Sequence, residues 1–150
     1  MIFTPDTDAI THGIQLAVAP VFFLTAVSGM IGAVAGRLAR IIDRARSLEE
    51  RAMVSSDADF LQRAYAELTE LRLRGRLANG CIALLTLCAV FIGLTIIALF
   101  VGETTNLQSG RLAVAGFLSG VVSFLLALLC FLAETYIATR VLNFRMPGVR

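Results

Sequence analysis

Three apolar stretches set the terms for any fold of this chain: residues 13–36, 77–101 and 112–139, the last losing its apolar run at Glu134. Each can cross ~30 Å of hydrocarbon, which takes about 20 helical residues at ~1.5 Å rise. In lipid every backbone N–H and C=O must be satisfied inside the spanning element, so helices and closed barrels are the candidates. Apolar and polar residues do not alternate here, and the runs far exceed strand length, so the prediction is helical. Composition agrees. The 150 residues are 57% hydrophobic and 16% charged, whereas a soluble domain carries roughly a quarter charged residues. A solvated enzyme, a disordered chain and a disulfide-stapled secreted module are thereby excluded. The expected fold class is an all-α integral membrane protein with three transmembrane helices, the first two extended into the cytoplasm as an antiparallel hairpin.

Charge placement predicts the orientation. All 13 basic residues are Arg, and nine of them lie in residues 37–76 together with seven of the 11 acids. The tail 140–150 holds three Arg and no acid, while residues 1–36 contain no Arg. Arg-rich short segments stay in the cytoplasm. Residues 37–76 and 140–150 are therefore expected inside, with the N-terminal tail 1–12 and the loop 102–111 outside. Ala17-Val18-Ala19 resembles a signal-peptide cleavage site. No basic residue and no adequate apolar stretch precede it, so the first span is expected to be retained.

The cytoplasmic segment keeps a helical rhythm. Leu38, Ile41, Ala45, Leu48 and Ala52 recur at three- and four-residue spacing, and so do Leu61, Ala64, Leu68 and Leu71. Between them lies a short break at residues 54–57, where Ser56 followed by Asp59 reads as a capping box opening the second arm. Flexible linkers rarely keep a heptad seam, which favours a helical hairpin over a loose charged loop.

Within the spans, small residues mark faces. Ser28, Gly32 and Gly36 recur every four residues in the first; in the third, Ser119 and Ser123 lie with Gly116 and Gly120. Such ridges let helix backbones approach closely, either within one chain or between copies. Phe117, Phe124 and Phe131 form a stripe on the other side of the third helix, expected to face lipid or a bulky neighbour. Pro20 is expected to bend the first helix.

Glu134 stands at the inner boundary on the small-residue side, where Arg37, Arg40, Arg74 and Arg76 enter from the other helices. A half-desolvated carboxylate there calls for a guanidinium. An ion pair locking the helices is the first expectation, with a cation-binding gate or headgroup exposure as alternatives. Asp43 has Arg40 and Arg46 at i−3 and i+3, a local helix pair.

Signals for catalysis are lacking. Cys81, Cys88 and Cys130 lie in apolar spans without a CxxC motif and read as small buried apolar residues. His12 is the single histidine, and no phosphate-cradling loop follows a strand. No enzyme activity, cofactor or metal is expected. The hairpin's Arg are interleaved with acids, which argues against nucleic acid. Anionic lipid at the cytoplasmic face is the better-matched partner for Arg72, Arg74, Arg76 and the basic tail.

The run GRLARIIDRAR (residues 36–46), together with the ELxxLRxRxRLxN pattern of residues 67–79, resembles the bacterial domain-of-unknown-function family 2721. The similarity extends over nearly all of residues 13–142. It implies a small inner-membrane protein with three helices and brings no catalytic residue with it. Two functional readings follow. One is a self-associating structural or interaction protein whose hairpin meets an unknown cytoplasmic protein. The alternative is a subunit of a homo-oligomeric pore, lined by Ser119, Ser123 or Thr86.

Overall fold

The computed structural model describes residues 7–105 and 110–143. It consists of three helices: α1 (Thr7–Val54), α2 (Ala58–Thr105) and α3 (Gly110–Asn143). No strand occurs among the described residues. All three helices are long and apolar enough to cross a membrane, as the sequence predicted. Helix α1 already includes residues 7–12, assigned above to the N-terminal tail, and it continues through Pro20. Residues 1–6, 106–109 and 144–150, with most of the basic tail, lie outside the described residues.

The turn between α1 and α2 occupies residues 55–57. Its cap falls one residue later than the Ser56 reading. The Asp57 carboxylate accepts the Asp59 amide at 3.0 Å, and the Leu61 amide donates to the Asp57 carbonyl at 3.0 Å. Asp and Ser cap about equally well, so the choice between neighbours depends on where helical backbone begins. Ser55 supports the turn by accepting the Asp57 amide.

Burial along each helix follows a repeat of 3.5 residues. Helix α1 buries Pro20, Val27, Val34 and Ile41 at seven-residue intervals. Helix α2 buries Ala64, Leu68, Leu71, Ala78, Cys81, Leu85, Cys88, Ile92 and Thr95. Helix α3 buries Ala113, Gly120, Ala127 and Glu134, again seven apart, with Ser123 between. This is coiled-coil patterning, in which a narrow stripe of each helix meets its neighbours. The opposite faces stay open: Phe22, Leu112 and Leu132 are among the most exposed side chains. Only 22% of the most apolar window in each helix is buried, so the remainder requires lipid as its solvent.

The chain divides into two compact units. In the unit of residues 1–31 and 84–126, α2 and α3 approach closely through glycine. A Cβ on Gly120 would stand 2.8 Å from Ile92 Cδ1, and one on Gly116 would stand 2.7 Å from Thr95 Oγ1. The phenylalanine stripe meets a bulky neighbour: the Phe23 ring lies 6.4 Å from Phe117 and 5.0 Å from Phe124, edge-on to the latter. Edge-on packing suits the ring quadrupoles and adds roughly 0.5–1.5 kcal/mol beyond area burial.

In the unit of residues 32–83 and 127–150, α1 and α2 run antiparallel, with Ile41, Ala64, Leu68 and Leu71 buried along their seam. Arg44 pairs with Glu67 at 2.6 Å and Arg72 with Glu49 at 3.7 Å. These pairs are largely exposed, so they add little to stability and serve mainly to register the two arms. Cys81 is fully buried and its thiol donates to the Ala127 carbonyl at 3.2 Å.

Candidate functional site

Helix α3 carries a carboxylate into its own packing stripe. Glu134 follows Ala127 by seven residues, so the repeat that hides the alanine hides the glutamate as well, at 2% exposure. An ionised carboxylate loses its hydration there and must be compensated. Two arginines do so. Arg37 of α1 places Nη2 2.7 Å from Oε2, and Arg74 of α2 donates to Oε1 from Nη2 at 3.0 Å and from Nε at 3.2 Å. Each helix therefore supplies one member. The Arg37 guanidinium also stands 5.0 Å from the centroid of the Phe131 ring, a cation–π contact.

The remaining residues singled out from the sequence lie elsewhere. Arg40, Asp43 and Arg76 are exposed and make no ion pair among the described residues. For Asp43 the reason is physical: an Asp–Arg pair at i, i+3 on a wet helix face gains only a few tenths of a kcal/mol. The small residues divide in two. Gly116, Gly120 and Ser123 pack within the chain, whereas Ser28, Gly32, Gly36 and Ser119 are exposed. A Cβ on Gly32 or Gly36 would meet no atom within 4 Å.

Four of the hydroxyls within the spans turn to their own helices. Thr25 donates to the Val21 carbonyl, Thr95 to Phe91, Ser119 to Ala115 and Ser123 to Ser119. Along the inward stripe of α2, Cys88 is buried as expected, and the residues that sequence reasoning missed are Leu85, Ile92 and Thr95. Continuing the seam Ala64-Leu68-Leu71 through Ala78 at the same spacing would have found them.

Among the described residues no group of His, Cys, Asp or Glu is placed to hold a metal ion. The geometry is that of a three-helix electrostatic clamp: one carboxylate, two guanidiniums, no nucleophile. The same stretch of sequence, residues 17–144, matches the profile described as "Protein of unknown function (DUF2721)". The chain belongs to the DUF2721 family. No curated protein and no solved structure matches it. In this DUF2721 protein, the clamp residues Arg37 and Arg74 fall inside the two motifs, residues 36–46 and 67–79, that carried the resemblance.

Proposed function

We propose that this DUF2721 protein is a non-enzymatic, self-associating protein of the bacterial inner membrane. Its N-terminus lies outside, and the hairpin formed by α1 and α2 reaches into the cytoplasm as an interaction surface. The observation that carries the reading is the unequal use of small residues. On α3, Gly116 and Gly120 are consumed by close contact with Thr95 and Ile92. On α1, Gly32 and Gly36 meet nothing within 4 Å. Glycine in a helix interior costs about 1 kcal/mol relative to alanine. Two glycines at i and i+4 on an open face leave room for a close helix contact from another copy.

The arginine bias of residues 37–76 supports the cytoplasmic placement. The same bias supports contact of the basic residues beside the membrane with anionic lipid. The hydroxyls bonded to their own backbone favour packing over a conducting path. Native mass spectrometry in mild detergent tests self-association. The expected result is an oligomer that the Gly32→Leu substitution dissociates, and a strictly monomeric wild type at all concentrations would overturn the proposal.

A further inference from the structure

Beside the clamp, in the same unit, α1 and α2 enclose a cleft of about 230 Å³ lined by Arg37, Arg40, Ile41, Arg44, Leu71 and Arg74. Ile41 and Leu71 give it an apolar part, and the other four lining residues are arginines. Arg37, Arg40 and Arg44 stand at i, i+3 and i+7, which places them on one face of α1, with Arg74 contributed by α2. Two carboxylates answer them: Glu134 is shared by Arg37 and Arg74, and Glu67 is held by Arg44. Arg40 makes no ion pair among the described residues. Four positive charges against two negative leave two in excess around one small space.

Packing stability gives no reason for that excess. Glu134 with one arginine would already be a neutral pair, and the seam of Ile41 and Leu71 would hold the helices without Arg40. Like charges drawn together around one cleft repel, and the arrangement is relieved by an anion. Guanidiniums present paired N–H donors in a planar fork that matches the oxygens of phosphate. The volume leaves room for a compact tetrahedral oxyanion. Arg37 directly follows the apolar stretch of α1, so a bilayer crossed by that stretch would put the Arg37 end of the cleft at the depth of lipid headgroups. Basic pockets between membrane helices at this depth recognise phosphorylated headgroups.

We infer that the Arg37–Arg40–Arg44–Arg74 cleft is a binding site for a phosphate group, carried by a membrane lipid or free in solution. The inference does not use self-association, since one chain supplies every residue of the cleft. Its test has two arms. In the first, inorganic phosphate is titrated by calorimetry into the protein in neutral detergent, at constant ionic strength maintained with chloride. In the second, the protein is reconstituted with phosphatidylcholine vesicles with and without phosphatidic acid, and its thermal stability is followed.

Saturable binding in the first arm identifies free phosphate as a ligand. Stabilisation by phosphatidic acid without phosphate binding identifies the headgroup. In either case Arg40→Ala is expected to weaken the effect by roughly 10-fold or more, the loss of one charge-assisted hydrogen bond. It should not lower the melting temperature of the unliganded protein, because Arg40 takes no part in an ion pair and its loss relieves like-charge repulsion. Arg44→Ala should weaken binding similarly. No saturable response in either arm, or a response that both variants retain in full, would overturn the assignment.

Discussion

Replacing Glu134 by Gln keeps the side chain's shape and removes its charge, so it isolates the electrostatic role of the clamp. In the native protein each carboxylate oxygen takes one guanidinium, Oε2 from Arg37 at 2.7 Å and Oε1 from Arg74 at 3.0 Å. The amide leaves two positive charges facing each other, and its NH₂ group must point a donor at one of them. Breaking a buried pair in this way costs about 3–5 kcal/mol, much of it the penalty of the uncompensated partner. Arg37 and Arg74 retain 28% and 21% side-chain exposure, so water screens part of that penalty. The lower end of the range, about 3 kcal/mol, is the expected loss. At ~2–4 °C per kcal/mol for a chain of this size, the melting temperature should fall by roughly 6–12 °C. Circular dichroism in mild detergent reads it. The companion variant Arg37→Met/Arg74→Leu/Glu134→Leu removes all three charges and should melt close to the wild type or above it, because matched apolar packing replaces a desolvated cluster. If E134Q melts with the wild type, Glu134 is not held by the two arginines and the clamp account is refuted.

Two further substitutions test the packing. Gly120→Ala sets about 1–3 kcal/mol of overpacking against about 1 kcal/mol of gained helix propensity, since its Cβ would stand 2.8 Å from the buried Ile92 side chain; a chemical-denaturation midpoint showing the full propensity gain would contradict that contact. Asp57→Ala should cost about 1 kcal/mol by stripping the cap from α2, seen as faster hydrogen exchange of the first-turn amides near Asp59, with unchanged exchange as the contrary result.

How much of this was legible in the sequence depends on contrast. The three membrane helices were plain because a bilayer demands long apolar runs and 16% charge leaves few places to interrupt them. The seam of the Arg-rich segment was legible too, since Ile41, Leu68 and Leu71 stand out among charged neighbours. Inside the spans that contrast disappears. Leu85 and Leu87 are chemically alike, yet one is fully buried and the other 44% exposed. Polarity misleads there: Asn79, Thr86 and Gly93 share a face, but Asn79 and Thr86 are exposed while the inward stripe carries Cys81, Cys88 and Ile92. Glu134's need for a guanidinium followed from its depth. Which two of four arginines meet it depends on the rotational phase of α1 and α2, set by packing rather than by spacing.

The same limit applies to the small residues. Gly32 and Gly120 are indistinguishable as letters, and only the structure shows that a Cβ would clash at one and find open space at the other.

Self-association through α1 is the central claim, and disulfide crosslinking in the membrane tests it most directly. Cysteine at Gly36 on the open face is compared with cysteine at Val34, which is 1% exposed and turned into the chain's own seam. A disulfide requires Cα atoms within ~7 Å, which a close glycine-mediated contact between two copies of α1 supplies. The account predicts a covalent dimer from Gly36→Cys and none from Val34→Cys. A Gly36→Cys protein that stays monomeric under oxidising conditions would contradict it.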